Sequence, residues 1–298
     1  MHTSRPLLDR LLSVLLCCCI AASAAADEPV SRRRAYADYV GGKVAIVAGD
    51  GTVEWEYGPA PKVCFCRQLP GGNILFCDAT GPKEVSPDKK IVWQYKPQGA
   101  ICHNLEKFAD GRVLAAESIQ SRLIEIGLDG QVAKTIPVQL KFLKPITSHQ
   151  FRGVRRSADG HYWICPMDER KVVECAADGT VLRELPMPGC ACESLALPNG
   201  NLLVCMWSPG RVIEFDKDMK IVWEIRTDEL PGNPLRIPYC IERLPDGNTV
   251  VGNSLIQGHI GKQPQAFEVT PDKKVVWELT DHARFKNVAY LHTLDVGK

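Results

Sequence analysis

Apolar and polar residues alternate over short runs along this chain, and no helical period takes over after residue 27. Runs such as Asn201-Leu202-Leu203-Val204-Cys205, Arg211-Val212-Ile213-Glu214-Phe215 and Asn248-Thr249-Val250-Val251-Gly252 predict β-strands. Tight turns of one chemistry punctuate them: Leu69-Pro70-Gly71-Gly72, Phe108-Ala109-Asp110-Gly111, Ser157-Ala158-Asp159-Gly160, Leu197-Pro198-Asn199-Gly200 and Leu244-Pro245-Asp246-Gly247. Each turn leads to two strands and then to a last one. The last strand recurs six times, as Thr52-Val53-Glu54-Trp55, Lys90-Ile91-Val92-Trp93, Gln131-Val132-Ala133-Lys134, Thr180-Val181-Leu182-Arg183, Lys220-Ile221-Val222-Trp223 and Lys274-Val275-Val276-Trp277.

A unit with one strand before the glycine turn and three after it is a four-stranded antiparallel meander. Six such units stacked openly would leave sheet edges bare, whereas a ring protects them. The predicted architecture is therefore an all-β, six-bladed β-propeller. The first unit, around Lys43 to Trp55, lacks an inner strand, and the C-terminus supplies one. There His292-Thr293-Leu294-Asp295 matches His103-Asn104-Leu105-Glu106, so the C-terminal strand is expected to complete blade one.

The segments Pro87-Asp88-Lys89-Lys90-Ile91-Val92-Trp93 and Pro271-Asp272-Lys273-Lys274-Val275-Val276-Trp277 resemble the repeat of pyrroloquinoline-quinone (PQQ)-like propellers, the quinoprotein alcohol dehydrogenase-like superfamily. The resemblance covers most of the chain and implies the propeller fold. It does not extend to the quinone-binding dehydrogenases, whose rings have eight blades and an adjacent cysteine pair at the cofactor. The only adjacent cysteines here are Cys17, Cys18 and Cys19. PQQ is accordingly not an expected cofactor.

Those three cysteines lie in a segment with the organisation of a secretory signal. Arg5 and Arg10 precede the apolar run Leu11 to Ile20, and small residues follow to Ala26. Residues 1–26 are read as a signal peptide and 27–298 as one propeller domain, exported to the periplasm or secreted. The apolar run is too short for a transmembrane segment. A formal net charge of +1 provides no field for nucleic acid, so the expected partner is a small molecule, a glycan or a protein, bound by a monomer. Ten cysteines remain beyond the signal, and an exported chain permits disulfides among them. Cys77, Cys165 and Cys205 share a repeat position with Ala116 and Gly252, which marks a volume-limited buried site. Trp55, Trp93, Trp223 and Trp277 recur in the outer strand and are expected to pack between blades. Trp207 falls outside that position and near a loop, which makes it the better candidate for binding.

The inner strands carry the candidate chemistry. Counting five residues back from the apolar residue of each turn gives Cys64, His103, Arg152, Cys192 and Tyr239, and the C-terminal match adds His292. One level of the axis would then hold two histidines, two cysteines, an arginine and a tyrosine. Cys64, His103, His292 and Cys192 are donor types for zinc or copper, with Cys66 on the same face. Six-bladed arylsulfotransferases resemble this architecture and use a channel histidine as nucleophile. That likeness implies His103 or His292 as nucleophile, Arg152 as oxyanion clamp and Tyr239 as proton donor, with His149 as a substitute. Lytic propellers with His and Tyr around a channel fit equally well. The alternatives left open are a ligand- or protein-binding module acting through its channel mouth and two long insertions, Leu140 to Ser148 and Leu255 to Gln265, and a channel-site enzyme.

Overall fold

Where Asp or Asn precedes Gly, the chain reverses through a three-residue hairpin loop. At Leu197 to Asn201 the Gly200 amide donates to the Leu197 carbonyl (2.9 Å), the Leu197 amide donates to the Asn201 carbonyl (2.8 Å), and Gly200 takes a φ of +84°. A side chain at that φ would be strained, which explains the glycine. The preceding residue matters too, because Asn199 Oδ1 accepts the Asn201 amide, as Asp110, Asp159 and Asp246 do at their own turns.

The computed structural model describes residues 30–97, 103–118, 120, 122–138, 140 and 151–295. The expected signal peptide, Cys102, His149 and nearly all of the Leu140 to Ser148 insertion lie outside the described residues. Among the described residues, no helix is long and apolar enough to cross a membrane.

Blade one contains β1 (Arg34–Asp38), β2 (Lys43–Val47) and β3 (Val53–Tyr57), with β24 (Val288–Thr293) as its inner strand. Blade two is β4 (Phe65–Gln68), β5 (Ile74–Asp78), β6 (Gly81–Val85) and β7 (Ile91–Gln94). Blade three is β8 (Leu105–Lys107), β9 (Val113–Glu117), β10 (Arg122–Ile126) and β11 (Val132–Pro137). Blade four is β12 (Gly153–Arg156), β13 (Tyr162–Cys165), β14 (Lys171–Cys175) and β15 (Val181–Pro186). Blade five is β16 (Ala191–Ala196), β17 (Leu202–Met206), β18 (Arg211–Phe215) and β19 (Ile221–Arg226). Blade six is β20 (Pro238–Arg243), β21 (Thr249–Asn253), β22 (Ala266–Val269) and β23 (Val275–Leu279). The six sheets are antiparallel and form a ring closed by β24, the six-bladed propeller expected from the repeats.

The two middle strands of each blade are buried on both faces and form the apolar core, while the outer strands leave Ile91, Val92, Ile221 and Val222 half exposed. Cys77, Cys165 and Cys205 are fully buried. At the equivalent Gly252 an added Cβ would come within 2.5 Å of Cys240 Sγ, so volume limits that position. The nine described cysteines form no disulfide with one another.

Polar contacts join neighbouring blades at regular places. The indole Nε1–H groups of Trp55, Trp93 and Trp223 each donate to a carbonyl in the next blade, at Pro87, Gly127 and Pro271 (2.8–2.9 Å). Trp223→Phe removes one such bond and is expected to lower the unfolding free energy by about 1 kcal/mol in urea denaturation. A second ladder uses a glutamate in the third strand of five blades: Glu84, Glu125, Glu174, Glu214 and Glu268. Each accepts a side-chain bond from the residue that follows its own hairpin glycine: Asn73, Arg112, His161, Asn201 and Asn248 respectively. Lys107, Tyr162, Arg243 and Arg34 then reach four of these glutamates from the next blade.

Candidate functional site

The inner strands β24, β4, β8, β12, β16 and β20 line the axis, and a buried polar cluster sits midway along it. Glu193, 1% exposed, accepts from Asn104 Nδ2 (3.1 Å) and Arg155 Nε (3.1 Å) through one oxygen and from the Ile241 amide (2.9 Å) through the other. Arg155 also reaches the Tyr290 hydroxyl. Five blades thus meet at this cluster, with a cavity on either side.

One cavity, of about 380 Å³, opens on the face where inner strands begin. Its wall includes His103, Arg152 and Tyr239, together with Trp207, Met167 and Tyr39. Arg152 Nη1 lies 2.7 Å from Nδ1 and 2.9 Å from Nε2 of His103, and its guanidinium carbon stands 4.2 Å from the centre of the Tyr239 ring. A guanidinium can only donate, so the His103 nitrogen it meets acts as an acceptor. The Trp207 ring meets Tyr239 edge-on at 6.2 Å. Among the described residues Arg152 has no carboxylate partner, and its buried Nε makes no hydrogen bond. The cation is therefore held by an imidazole and an aromatic face, neither of which neutralises it.

Cys64 and Cys192 belong to the same level, close enough for the Arg152 charge to act on both. Burial pushes the Cys192 thiol up to about 12, so it stays protonated at neutral pH. The Cys64 thiol is lowered, first by its hydrogen bond with Cys77, against the effect of burial. Burial raises the Tyr239 phenol well above its ordinary value, against the pull of Arg152, so the hydroxyl remains a donor. Cys66 is fully buried, and burial raises its thiol strongly.

His292 is not at this level, which corrects the expectation that six candidate side chains meet in one ring. The Leu294 amide donates to the Arg33 carbonyl (2.8 Å), which is the bond Leu69, Phe108, Ser157, Leu197 and Leu244 each make at their own turns. Leu294 is thus equivalent to Phe108 rather than to Leu105. Five residues back from it stands Ala289, which lines the Arg152 cavity. A β-bulge supports the same register: Ala289 is skipped by the pairing of β24 with β1, as Cys192 is between β16 and β17 and Tyr239 between β20 and β21. The offset of three residues places His292 at the opposite mouth. Cys64, His103, Cys192 and His292 consequently do not converge as one zinc or copper donor set. Among the described residues, the one group of three such donors close together is Asp159, His161 and Glu174, at a surface turn of blade four. Its histidine already bonds Glu174 (2.8 Å), and Arg183 takes the other Glu174 oxygen.

The opposite mouth holds a smaller cavity, of about 210 Å³, lined at equivalent positions of all six blades by Arg67, Glu106, Arg155, Leu195, Glu242 and His292. This ring lies two residues before each turn and was missed by counting five. In a flat strand residues three apart face opposite ways, but the bulges in β16, β20 and β24 let both levels face the axis. Burial, with Arg67 and Arg155 nearby, lowers the His292 pKa from 6.5 to about 3. Unfolding lets this imidazole take up a proton below pH 6.5, so its contribution to stability is complete above that pH and is lost as pH falls toward 3. Glu242, raised by burial, works with the opposite sign, its share being lost as pH rises through its folded pKa. His292→Gln is expected to flatten the acid limb of stability by up to about 1.4 kcal/mol per pH unit, read from urea unfolding between about pH 6 and 4.

No protein-family model and no curated protein matches the sequence. Solved structures do resemble the fold. A protein of unknown function from Bacteroides caccae superposes with a TM-score of 0.78 at 22% identity, over 90% of this chain and 100% of that one. A catalytically inactive virginiamycin B lyase from Staphylococcus aureus with quinupristin gives 0.60 at 11% identity, over 87% and 90%. The WD40 propeller domain of Doa1 gives 0.55 at 18% identity, over 71% and 69%. At these identities the likeness is one of fold.

Proposed function

We propose that this chain is an exported ligand-binding propeller whose ligand is a small organic anion with an aromatic or apolar body, seated in the mouth formed by His103, Arg152, Tyr239 and Trp207. The observation that carries this reading is the Arg152 guanidinium, partly buried and, among the described residues, without a carboxylate partner and with an unpartnered Nε. A desolvated cation gains more from an incoming carboxylate or sulfate than an exposed one does. Trp207, Tyr239 and Met167 offer an apolar wall for the rest of the ligand. Ile256 and Gln257, from the long Leu255 to Gln265 insertion, border the same cavity and make that loop the element that selects the ligand. Export rests on residues 1–26, and secretion of the full-length chain with loss of that segment is its test.

The test of the site is calorimetric titration with benzoate and p-nitrophenyl sulfate. At least one is expected to bind, and Arg152→Gln is expected to weaken it by at least about tenfold. Binding unchanged in that variant, or no binding of either anion, overturns the reading.

A second reading has its own support, namely a histidine in contact with Arg152 beside a tyrosine that burial keeps protonated. That arrangement suits sulfuryl transfer from an aryl sulfate to a His103 nitrogen, with Tyr239 protonating the departing aryl oxygen and Arg152 holding the sulfuryl oxygens. It is also compatible with a lyase, the activity named for the virginiamycin B lyase of similar fold. In either case His292 has no part. Release of p-nitrophenol that His103→Ala abolishes would favour the transferase; intact p-nitrophenyl sulfate after prolonged incubation excludes it.

A further inference from the structure

The smaller mouth lies beyond the Glu193 cluster from the Arg152 cavity and plays no part in the function proposed above. Its wall is unusual in its charges. Arg67 contributes a guanidinium whose Nε is buried without a hydrogen bond, and among the described residues it forms no ion pair with a carboxylate. Glu242 stands in the same cavity, near enough to feel the Arg67 charge, yet the two are not bridged. One Glu242 oxygen accepts the Thr293 amide (2.9 Å), while the other lies 3.8 Å from His292 Nε2. Glu106 is similar, with one oxygen taken by the Arg156 amide (2.9 Å). Among the described residues the buried His292 Nδ1 has no hydrogen-bond partner. Arg155, by contrast, is paired with Glu193 and also reaches the Tyr290 hydroxyl.

Opposite charges that share a cavity without joining each retain capacity for a third group. An anion alone would meet Glu106 and Glu242, and a cation alone would meet Arg67, so either would face a like charge. A ligand carrying both signs a few bonds apart satisfies both sides. Trp163, Leu195 and Leu291 supply an apolar remainder of the wall. We infer that this mouth is a second binding site, for a small zwitterion of the α-amino-acid type, its carboxylate on Arg67, its ammonium on Glu242 and Glu106, and an apolar side chain against Trp163 and Leu195.

The experiment is calorimetric titration of the exported form with the free L-amino acids singly at millimolar concentration, followed by the N-acetyl and amide derivatives of whichever binds. At least one apolar amino acid is expected to bind saturably, and each blocked derivative is expected to bind at least about tenfold more weakly. Arg67→Lys, which keeps the charge but loses the fork, and Glu242→Gln are each expected to weaken binding by at least about tenfold, whereas Arg152→Gln leaves it unchanged. Near-ultraviolet circular dichroism verifies folding of each variant. No binding by any amino acid overturns the inference, as does equal binding of the N-acetyl derivative, which would mark a simple anion site. Binding that survives in both folded variants overturns it as well. The Arg152 variant keeps this outcome separate from that of the other mouth.

Discussion

Glu268→Ala is expected to lower the unfolding free energy by about 3–5 kcal/mol. Glu268 is fully buried in β22 of blade six and receives Arg34 Nη2 (2.6 Å) from β1 of blade one. Arg32 Nη2 (3.1 Å) and Asn248 Nδ2 (2.8 Å) complete its shell, and the Arg34 guanidinium lies 3.6 Å above the Trp277 ring. Removing the carboxylate strands Arg34, 1% exposed, whose pKa is already lowered by burial. The position magnifies the effect, because this is the seam between the first and last blades, where closure relies on residues more than two hundred positions apart. Replacing both partners, as Arg34→Met with Glu268→Leu, is expected to recover most of the loss, since no charge is then left alone. Urea denaturation measures both variants. A loss below about 1 kcal/mol for the single variant would mean that the seam is held elsewhere.

Glu193→Ala is expected to cost a similar amount, about 3–5 kcal/mol, by leaving Arg155 as an unpaired charge on the axis. It also strands the Ile241 amide and the Asn104 side chain, both of which donate to the carboxylate. Glu193→Gln keeps one acceptor oxygen for these donors and is expected to lose less. Glu193→Ala also removes the acceptor around which the cluster between the two mouths is built. Amide hydrogen exchange would show this as faster exchange at Ile241 in β20, without a matching change in the outer strands. Protection at Ile241 that equals the parent would show that the cluster does not hold the inner strands together.

How much of this was legible in the sequence follows from what repeats. The hairpin glycines recur in five blades, the Trp position in four and the last strand in all six, and such repetition turns weak local signals into a blade count. The glutamate ladder was equally repetitive, since Glu84, Glu125, Glu174, Glu214 and Glu268 all stand in third strands. The sequence alone does not mark it, because a glutamate in a strand ordinarily faces solvent and only its partners show that it is buried. The C-terminal strand was assigned to the right blade but in the wrong register. His292 and His103 have similar neighbours, and one short match outweighed the turn that would have fixed the offset.

His103, Arg152 and Tyr239 are brought together by the sequence alone, because three inner strands counted back from three similar turns begin at the same height. Their chemistry is not. That Arg152 has no carboxylate partner among the described residues, and that burial holds Tyr239 protonated, depend on what the other blades place around them, which no single repeat records. The ring of Arg67, Glu106, Arg155, Glu242 and His292 was hidden for a related reason, since bulges decide which of two neighbouring levels faces the axis. Sequence by itself determined the six-bladed ring and its clasp, because these rest on local turn geometry and strand period. The tertiary structure alone decided which charges meet across the axis and which are left without a partner, because those contacts join residues far apart in the chain.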